Sequence, residues 1–225
     1  MKISVIIPTL NEGKILKETL KRLKKGMDIE IIIVDGGSTD DTVAVAKEFT
    51  KKVLTSPPGR ASQMNEGARN AEGEILLFLH ADSQITHGGL GKMAPAVIGI
   101  PAVGGAFQLG VDSGNFFLRT IVLFANLRTR ITKIPYGDQG IFITKSTFQK
   151  IGGFPDIPIM EDVELAKKMK KEGKIALLKE KVFTSPRRWK QEGIIWTTLK
   201  NRGLMTAYLL GISPKKIACW CRNVR

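Results

Sequence analysis

Cysteine is scarce in this chain, and its placement excludes some common kinds of site. The two cysteines, Cys219 and Cys221, lie two residues apart near the C-terminal end. They have neither the spacing nor the partner residues of a zinc site, and they offer no disulfide framework. Such usage is typical of proteins in a reducing compartment, so we expect a cytoplasmic location.

Long uncharged apolar runs are also missing. None reaches the roughly 18 residues that would indicate a membrane-spanning helix. The opening apolar stretch, residues 3–7, is too short for a signal peptide and runs directly into polar sequence. With 225 residues, 43% of them hydrophobic, the chain can bury a substantial core, and its length fits one large α/β domain.

Three common nucleotide-binding motifs are absent. A dinucleotide-dependent oxidoreductase needs a glycine-rich turn after its first strand. Here that turn, residues 8–12, reads Pro-Thr-Leu-Asn-Glu and contains no glycine, and a Walker A sequence is absent too. A nucleotidyltransferase that makes sugar nucleotides would carry a glycine-rich, basic loop at the same place. The sequence therefore disfavours all three classes.

Acidic residues nearly vanish from the C-terminal part. From Lys181 onward, ten Lys or Arg residues accompany the single acid Glu192, so this part carries +9 of the net charge of +14. It also holds Trp189, Trp196 and Trp220. A basic segment with tryptophans can contact anionic lipid, phosphorylated ligands or nucleic acid, or it can be a solvated surface.

Strand-like and helix-like segments alternate in the first half. The predicted strands are residues 3–7, 29–34, 53–54 and 74–79, and the predicted helices cover 10–25, a segment capped near 38–40, and 60–70. Such alternation predicts a parallel sheet flanked by helices. In the second half we expect strands at 102–111, 140–144 and 175–178, and helices at 116–134, 161–171 and 193–210. We interpret residues 1–190 as one α/β domain and residues 191–225 as its basic helical extension.

Acidic side chains follow the apolar runs. The run at 29–34 ends in Asp35, the run at 75–79 ends in His80-Ala81-Asp82, and a third cluster, residues 161–164, opens a helix. In α/β sheets, ligands bind beyond the carboxyl ends of the parallel strands. Carboxylates there suit a ribose, a divalent metal or proton transfer. The alternative interpretation is ordinary helix capping and acids that complement a helix dipole.

Taken together, these segments resemble family 2 glycosyltransferases of the GT-A fold. The matching segments are residues 4–12, 34–40, 65–68, 73–75, 78–82, 152–154 and 161–165. Each is weak alone, but their order and spacing are specific and span nearly the whole chain. The Leu-His-Ala-Asp sequence at 79–82 is similar to a compact prokaryotic subgroup of the family. The resemblance implies a nucleotide-diphospho-sugar transferase fold with a mostly parallel sheet and a C-terminal helical extension.

The resemblance also implies an activity: inverting transfer of a sugar from a UDP- or GDP-sugar to an acceptor hydroxyl. Asp82 would be the metal ligand, for Mn²⁺ or Mg²⁺. The donor-binding residues that it implies are Pro8, Thr9, Glu12, Asp35, Gly37, Ser38, Arg60, Asn65, His80, Ala81 and Arg188. A divalent ion is needed because transfer leaves a nucleoside diphosphate with growing negative charge.

On the acceptor side, the resemblance assigns the general base to Asp162, with Glu161 beside it. A base must remove the proton of the acceptor hydroxyl as the new bond forms. Asp138, Gln139 and Trp189 are expected on the acceptor side, and the acceptor itself would be lipid-linked or a glycan. We expect no nucleic-acid partner, because strand-end acids would repel phosphate unless a metal intervened.

The chain departs from the family pattern at several positions. His80 stands at the first aspartate of the Asp-x-Asp motif, and Gly36 replaces a common second aspartate after Asp35. Ser185 replaces the glutamine of the processive Gln-x-x-Arg-Trp motif, which argues against polymer synthesis. A catalytically degenerate GT-A-like module that binds nucleotide sugar or a membrane surface is the alternative. We further hypothesise that the basic tail and the helices at 116–134 and 193–210 contact anionic membrane, on the inner face of the cell membrane.

Overall fold

The computed structural model describes residues 1–23, 29–99 and 101–220. Within these ranges the chain forms one sheet of eight strands. The strands are β1 (Ile3–Thr9), β2 (Glu30–Asp35), β3 (Lys52–Thr55), β4 (Ile75–Phe78), β5 (Gln84–Ile85), β6 (Ala102–Val111), β7 (Ile141–Thr144) and β8 (Lys174–Thr184). Their order across the sheet is β3-β2-β1-β4-β7-β6-β8-β5.

Helices cover both faces of this sheet. They are α1 (Gly13–Leu23), α2 (Thr42–Lys47), α3 (Arg60–Arg69), α4 (Met93–Gly99), α5 (Phe116–Thr132), α6 (Lys145–Lys150), α7 (Glu161–Glu172), α8 (Arg187–Glu192), α9 (Ile194–Leu209) and α10 (Pro214–Trp220). Short 3-10 turns occur at Leu90–Lys92 and Gly137–Gln139. In the described ranges, none of the helices combines the length and the apolar character needed to cross a bilayer.

The first half forms the parallel part of the sheet, as predicted. β1 pairs in parallel with β2 and with β4, and β2 pairs in parallel with β3. In this register Thr9 lies opposite Asp35 at the carboxyl ends of β1 and β2. The loops that follow these strands therefore start from one edge of the sheet.

One strand of the second half runs in the opposite direction. β7 is antiparallel to both β4 and β6, and β6 pairs in parallel with β8. Ile141, at the start of β7, lies opposite Phe78, at the end of β4. The 3-10 turn that precedes β7 consequently lies at the same sheet edge as the loop that follows β4.

The core lies on both faces of the central strands, because alternate side chains of a strand point to opposite faces. On one face Val5, Ile7 and Leu77 pack with Leu16 and Leu20 of α1. On the other face buried residues of the same strands pack with α3 and α7, as the cluster Ile6, Ile32, Leu76, Phe78, Met64 and Leu165 shows. Two apolar layers thus fix the sheet edge that carries the candidate site.

Some predicted boundaries were wrong. β8 continues to Thr184 instead of ending at residue 178, because its charged second half pairs with β6 and β5. α1 begins at Gly13, three residues later than predicted, and the predicted end at residue 25 lies outside the described residues. The short elements α4, α6, α8 and β5 were not predicted.

The C-terminal helices pack directly onto the domain. Met160 and Val163, at the start of α7, form a buried cluster with Leu204 of α9 and Ile217 of α10. Tyr208 of α9 donates a short hydrogen bond to the Glu164 carboxylate of α7. The predicted helical extension is therefore joined to the helix that carries the acidic cluster.

Candidate active site

The loops after β1 and β2 are tied together by side chains. The Asn11 amide donates to Ser38 Oγ at 2.8 Å, and the Thr39 amide donates to Asn11 Oδ1 at 2.8 Å. The Glu12 amide donates to Thr42 Oγ1 at 2.8 Å. Asn11 has a φ of 55°, a conformation that asparagine tolerates better than most residues. The two loops therefore form a single preorganised wall at this edge of the sheet, beside the region that we call the crevice.

Asp35 is buried in this wall, with 3% of its surface exposed. Its Oδ1 accepts from Thr9 Oγ1 at 3.2 Å and from Ser38 Oγ at 2.5 Å. Its Oδ2 accepts from the amides of Gly37 and Ser38 at 2.9 and 2.7 Å. A carboxylate has about four acceptor positions, and these four bonds use them all. The structure brings the predicted residues Thr9, Asp35, Gly37 and Ser38 together. It uses all acceptor positions of the Asp35 carboxylate in hydrogen bonds to these neighbours.

Gln63 explains why glycine stands at position 36. Its buried Nε2 donates to the carbonyl oxygens of Thr9 and Val34, at 2.8 Å each, and so joins the ends of β1 and β2. A Cβ at Gly36 would lie 3.1 Å from Gln63 Nε2. The glutamine occupies the space next to the backbone, and a side chain at position 36 would crowd it.

Asn65, on the same helix, contacts a distant turn. Its Nδ2 donates to the Phe154 carbonyl at 2.8 Å, and its Oδ1 accepts from the Phe154 amide at 3.0 Å. Both ends of its amide group are thus used to hold the Gly152-Gly153-Phe154 turn near α7. Arg60, in contrast, is exposed at the start of α3, and its charge acts on His80, Asp82 and Asp138.

The His80-Ala81-Asp82 segment follows β4 at the crevice. The Ala81 carbonyl accepts from Thr19 Oγ1 at 2.7 Å, which fixes the segment to α1. Burial lowers the pKa of His80 to about 3, and the nearby Arg60 charge acts in the same direction. The imidazole is therefore neutral near pH 7 and able to accept a hydrogen bond or ligate a metal.

Asp82 is partly buried at the same place. Burial raises the pKa of its carboxyl group, an effect that the charges of Arg187 and Arg60 oppose. Within the described parts of the chain, no group of three or more His, Cys, Asp or Glu is arranged to hold a metal. Mg²⁺ is commonly held by one or two carboxylates together with substrate phosphates, and Asp82 fits that pattern.

An arginine from the C-terminal part reaches this region. Arg187 Nη2 lies 3.2 and 3.3 Å from the two carboxylate oxygens of Glu12. The predicted donor-binding residue in this segment is Arg188, whose side chain lies outside what the structure describes, so its role stays a prediction; Arg187 was not predicted. Both arginines belong to the Ser-Pro-Arg-Arg-Trp segment, and the sequence signal that pointed to Arg188 also covers Arg187. The segment forms α8.

Asp162 is held at both carboxylate oxygens. Oδ2 accepts from the Gly137 amide at 2.6 Å, and Oδ1 accepts from the Val163 amide at 2.8 Å. A Cβ at Gly137 would lie 3.2 Å from Asp162 Oδ2 and 3.2 Å from His80 Nε2. The acid at the start of α7 and the histidine after β4 therefore meet at Gly137. Glu161, next to Asp162, is buried.

Asp138 is the second carboxyl group of this region. Burial raises its pKa to about 6; Arg128 opposes the rise and the negative charge of Asp162 adds to it. The adjacent Gln139 is only 2% exposed and turns inward, where its Nε2 donates to the Phe107 carbonyl at 3.4 Å. Of these two predicted acceptor-side residues, Asp138 lies among the charged groups of the crevice and Gln139 supports the turn.

Trp189 lies on α8, two residues after Arg187, and is partly buried. Its indole Nε1 is buried, and no hydrogen-bond partner is found for it among the described residues. Pro8 is partly exposed at the end of β1, next to the buried Thr9. Residues from β1, β2, α3, the loop after β4, the 3-10 turn, α7 and α8 thus surround one crevice.

The sequence of this chain matches a known family model and several curated proteins. Residues 4–152 match the family model described as Glycosyl transferase family 2. The chain belongs to this family. Among curated relatives, the probable glycosyltransferase YdaM of Bacillus subtilis is 28% identical over 87% of this chain and 52% of its own length. The dolichol-phosphate mannosyltransferase of Pyrococcus furiosus is 36% identical over 37% of this chain and 26% of its own length.

Solved structures of glycosyltransferases share the fold. Staphylococcus aureus TarS, residues 1–349 in complex with UDP-GlcNAc, has a TM-score of 0.66 at 21% identity, covering 82% of this chain and 58% of that one. The Pyrobaculum calidifontis mannosyltransferase PcManGT, in complex with GDP-Man and Mn²⁺, has a TM-score of 0.63 at 22% identity, covering 81% and 56%. These likenesses show the GT-A fold. This family 2 chain spans about half the length of YdaM.

Proposed function

We propose that this chain is a metal-assisted, inverting glycosyltransferase that uses a nucleoside-diphosphate sugar. The observation that carries the proposal is the convergence of Asp82, Asp138 and Asp162 with Arg60 and Arg187 around one crevice. Mixed carboxylates and guanidinium groups at the carboxyl ends of parallel strands suit a ligand with hydroxyl groups and phosphates.

The donor would bind along the loops after β1 and β2. Arg187 contacts Glu12 and its charge acts on Asp82, which supports a role for its guanidinium group in binding the diphosphate. TarS has been crystallised with UDP-GlcNAc, and PcManGT with GDP-Man and Mn²⁺. We extend both donor classes to this chain as candidates. Asp82, with the neutral His80 beside it, would hold the divalent ion, which when bound neutralises charge on the leaving diphosphate.

Asp162 would act as the general base. It would take the proton of the acceptor hydroxyl while the acceptor oxygen bonds to the anomeric carbon, and the bonding pair to the diphosphate oxygen would depart with the nucleoside diphosphate. Attack opposite the leaving group inverts the anomeric centre. The hydrogen bonds from Gly137 and Val163 hold the carboxylate in one orientation, which supports this role, and the buried Glu161 lies beside it at the start of α7.

The acceptor would be reached at a membrane surface. α5 carries a stripe of exposed apolar side chains, and its neighbour α9 carries another: Phe116, Phe117, Leu123, Phe124, Leu127 and Ile131 on α5, and Ile195, Trp196, Leu199 and Leu209 on α9. Exposed basic residues accompany them: Arg119, Arg130, Lys133, Arg202, Lys215 and Lys216. We call these two sets together the apolar-basic face. Apolar and basic side chains on one helical surface are typical of interfacial binding to anionic lipid, where a lipid-linked acceptor or a growing glycan would be located.

A catalytically inactive nucleotide-sugar binding module is the second candidate. One observation favours it: only Asp82 remains of the Asp-x-Asp motif. This candidate predicts donor binding without turnover.

The deciding experiment is thermal unfolding in the presence of UDP, GDP, UDP-GlcNAc, UDP-glucose and GDP-mannose, each with and without Mn²⁺. A ligand that binds only the folded state must raise its stability by mass action. A shift that needs Mn²⁺ and one particular base supports the donor site, and release of the nucleoside diphosphate from that sugar supports transfer chemistry. No shift with any of these ligands would overturn the proposed donor site.

A further inference from the structure

One arginine of α5, Arg128, contacts the 3-10 turn Gly137–Gln139 and the residue before it. The guanidinium carbon of Arg128 lies 3.2 Å from the centre of the Tyr136 ring. Its Nη2 donates to Gln139 Oε1 at 3.3 Å and to Thr129 Oγ1 at 3.0 Å. The guanidinium group thus contacts Gln139, at the end of the turn, and Tyr136, the residue just before it.

The contacts among these residues form a small, partly buried network. Gln139 Oε1 also accepts from Thr129 Oγ1 at 2.8 Å and from the Tyr136 amide at 3.2 Å. The Gln139 amide donates to the Tyr136 carbonyl at 3.0 Å. The hydrogen bonds that these residues share restrain the backbone of the turn, and they depend on the planar fork of arginine.

Arg128 is kept in this place at a cost. Its Nε is buried, and no hydrogen-bond partner is found for it in the described part of the chain. A buried donor without a partner is unfavourable. The stacking on Tyr136 and the hydrogen bonds to Gln139 and Thr129 offset this unfavourable contribution.

The turn positions the backbone amide of Gly137 so that it donates a hydrogen bond to Asp162 Oδ2. That hydrogen bond, 2.6 Å long, fixes Oδ2 on the side that faces His80. We propose that Arg128 is a positioning residue for catalysis, because it holds the turn whose Gly137 amide orients the Asp162 carboxylate. The inference rests on the proposed function, in which Asp162 is the general base.

The test uses hydrolysis of the donor, in which water replaces the acceptor hydroxyl. The sugar–diphosphate C–O bond breaks, the water oxygen bonds to the anomeric carbon, and Asp162 takes the water proton. We would measure hydrolysis of UDP-GlcNAc and of GDP-mannose from the amount of UDP or GDP that is released in the presence of this chain. Misplacing a catalytic group by about 1 Å can cost on the order of 10²-fold in rate. We expect Arg128→Lys to lower kcat by roughly that factor and to leave the donor KM unchanged.

Three companion variants separate positioning from general stability. Tyr136→Phe keeps the ring under the guanidinium group and should lower kcat less than Tyr136→Leu, which removes the ring. Arg69→Lys, an equivalent change at an exposed arginine of α3, is the control and should behave as wild type. If Tyr136→Phe and Tyr136→Leu lower kcat equally, the stacking argument is wrong.

A double-mutant cycle identifies the residue through which Arg128 acts. If it acts through Asp162, Arg128→Lys should change the residual rate of Asp162→Asn by less than about twofold, because residues that work as a unit are non-additive. An equal loss in both backgrounds, or a normal kcat in Arg128→Lys beside an impaired Asp162→Asn, would overturn this inference alone. Absence of turnover in wild type, or normal turnover in Asp162→Asn, would overturn the proposed mechanism and this inference with it.

Discussion

Arg187 contacts both carboxylate oxygens of Glu12, although 175 positions of sequence separate the two residues. Glu12 belongs to the wall made by the loops after β1 and β2, and Arg187 opens α8. The positive charge of Arg187 also opposes the rise in the pKa of Asp82. The Arg187 guanidinium group of α8 thus interacts with Glu12 and with Asp82, two residues of the proposed donor site.

Replacing Arg187 should weaken donor binding. In Arg187→Gln we expect the dissociation constant for the nucleoside diphosphate, measured by calorimetry with Mn²⁺, to rise on the order of tenfold, because a charge-assisted contact to phosphate is lost. Lys190→Gln removes an exposed charge from the same helix and is the matched control. Equal affinities in the two variants would exclude a role for Arg187 in the donor site.

Asp82 should carry the metal dependence of donor binding. In Asp82→Ala, the thermal stabilisation that a nucleoside diphosphate gives with Mn²⁺ should fall to the value seen without metal, since the carboxylate ligand is gone. Asp156→Ala, at an exposed loop position, is the control and should keep the full response. A metal-dependent shift that survives in Asp82→Ala would mean that other residues hold the ion.

The parallel half of the fold was predictable because its information is local. Apolar runs of strand length that alternate with helical segments already specify β1 to β4 and the loops beyond their carboxyl ends. Asp35, His80 and Asp82 follow those runs directly, so their placement at one sheet edge could be predicted as well. The prediction of β6 was also confirmed in both boundaries.

The other half depends on contacts between distant residues. The reversal of β7 brings Gly137 beside Asp162 and His80, and nothing in the local sequence announces it. Gln139 faces the core because its partners, Thr129 and the Phe107 carbonyl, come from α5 and β6. Side-chain direction in a turn is set by such tertiary partners, which a single sequence does not display.

Asp162→Asn should separate binding from chemistry. We expect donor affinity to stay within about twofold, while the rate of donor turnover falls by roughly 10² to 10⁴, the usual contribution of a general base. The measurements are calorimetry for binding and nucleoside-diphosphate release for turnover. Asp156→Asn serves as the exposed control. Normal turnover in Asp162→Asn would direct attention to Asp138, the other carboxyl group of the crevice.

His80 should make folding stability depend on pH. Its pKa is lowered to about 3 in the folded state, so between its ordinary value of 6.5 and about 3 the unfolded chain binds a proton that the folded chain does not. The free energy of unfolding therefore falls as pH falls through this window, by at most about 1.4 kcal/mol per pH unit. Asp138 acts oppositely: its pKa is raised from 3.8 to about 6, so its contribution falls as pH rises through that range.

Urea unfolding at about pH 7 and about pH 4.5 measures this dependence. His80→Gln should lose less stability on acidification than wild type, because its side chain cannot bind the proton. His87, the second of two histidines, is exposed, and His87→Gln is the matched control. If acidification destabilises His80→Gln and His87→Gln equally, the burial of His80 does not control the acid response.

The apolar-basic face should bind anionic vesicles through both of its components. At low salt, wild type should co-sediment with vesicles of phosphatidylcholine and phosphatidylglycerol, and added salt should release part of it, because screening weakens only the electrostatic share. The double variant Phe124→Glu with Leu127→Glu places two charges on the exposed stripe of α5 and should reduce the bound fraction strongly. Ile98→Glu adds a charge at an exposed apolar residue of α4, outside this face, and should leave binding close to that of wild type. Failure of wild type to co-sediment, or equal binding by the double variant, would show that this face does not meet the membrane.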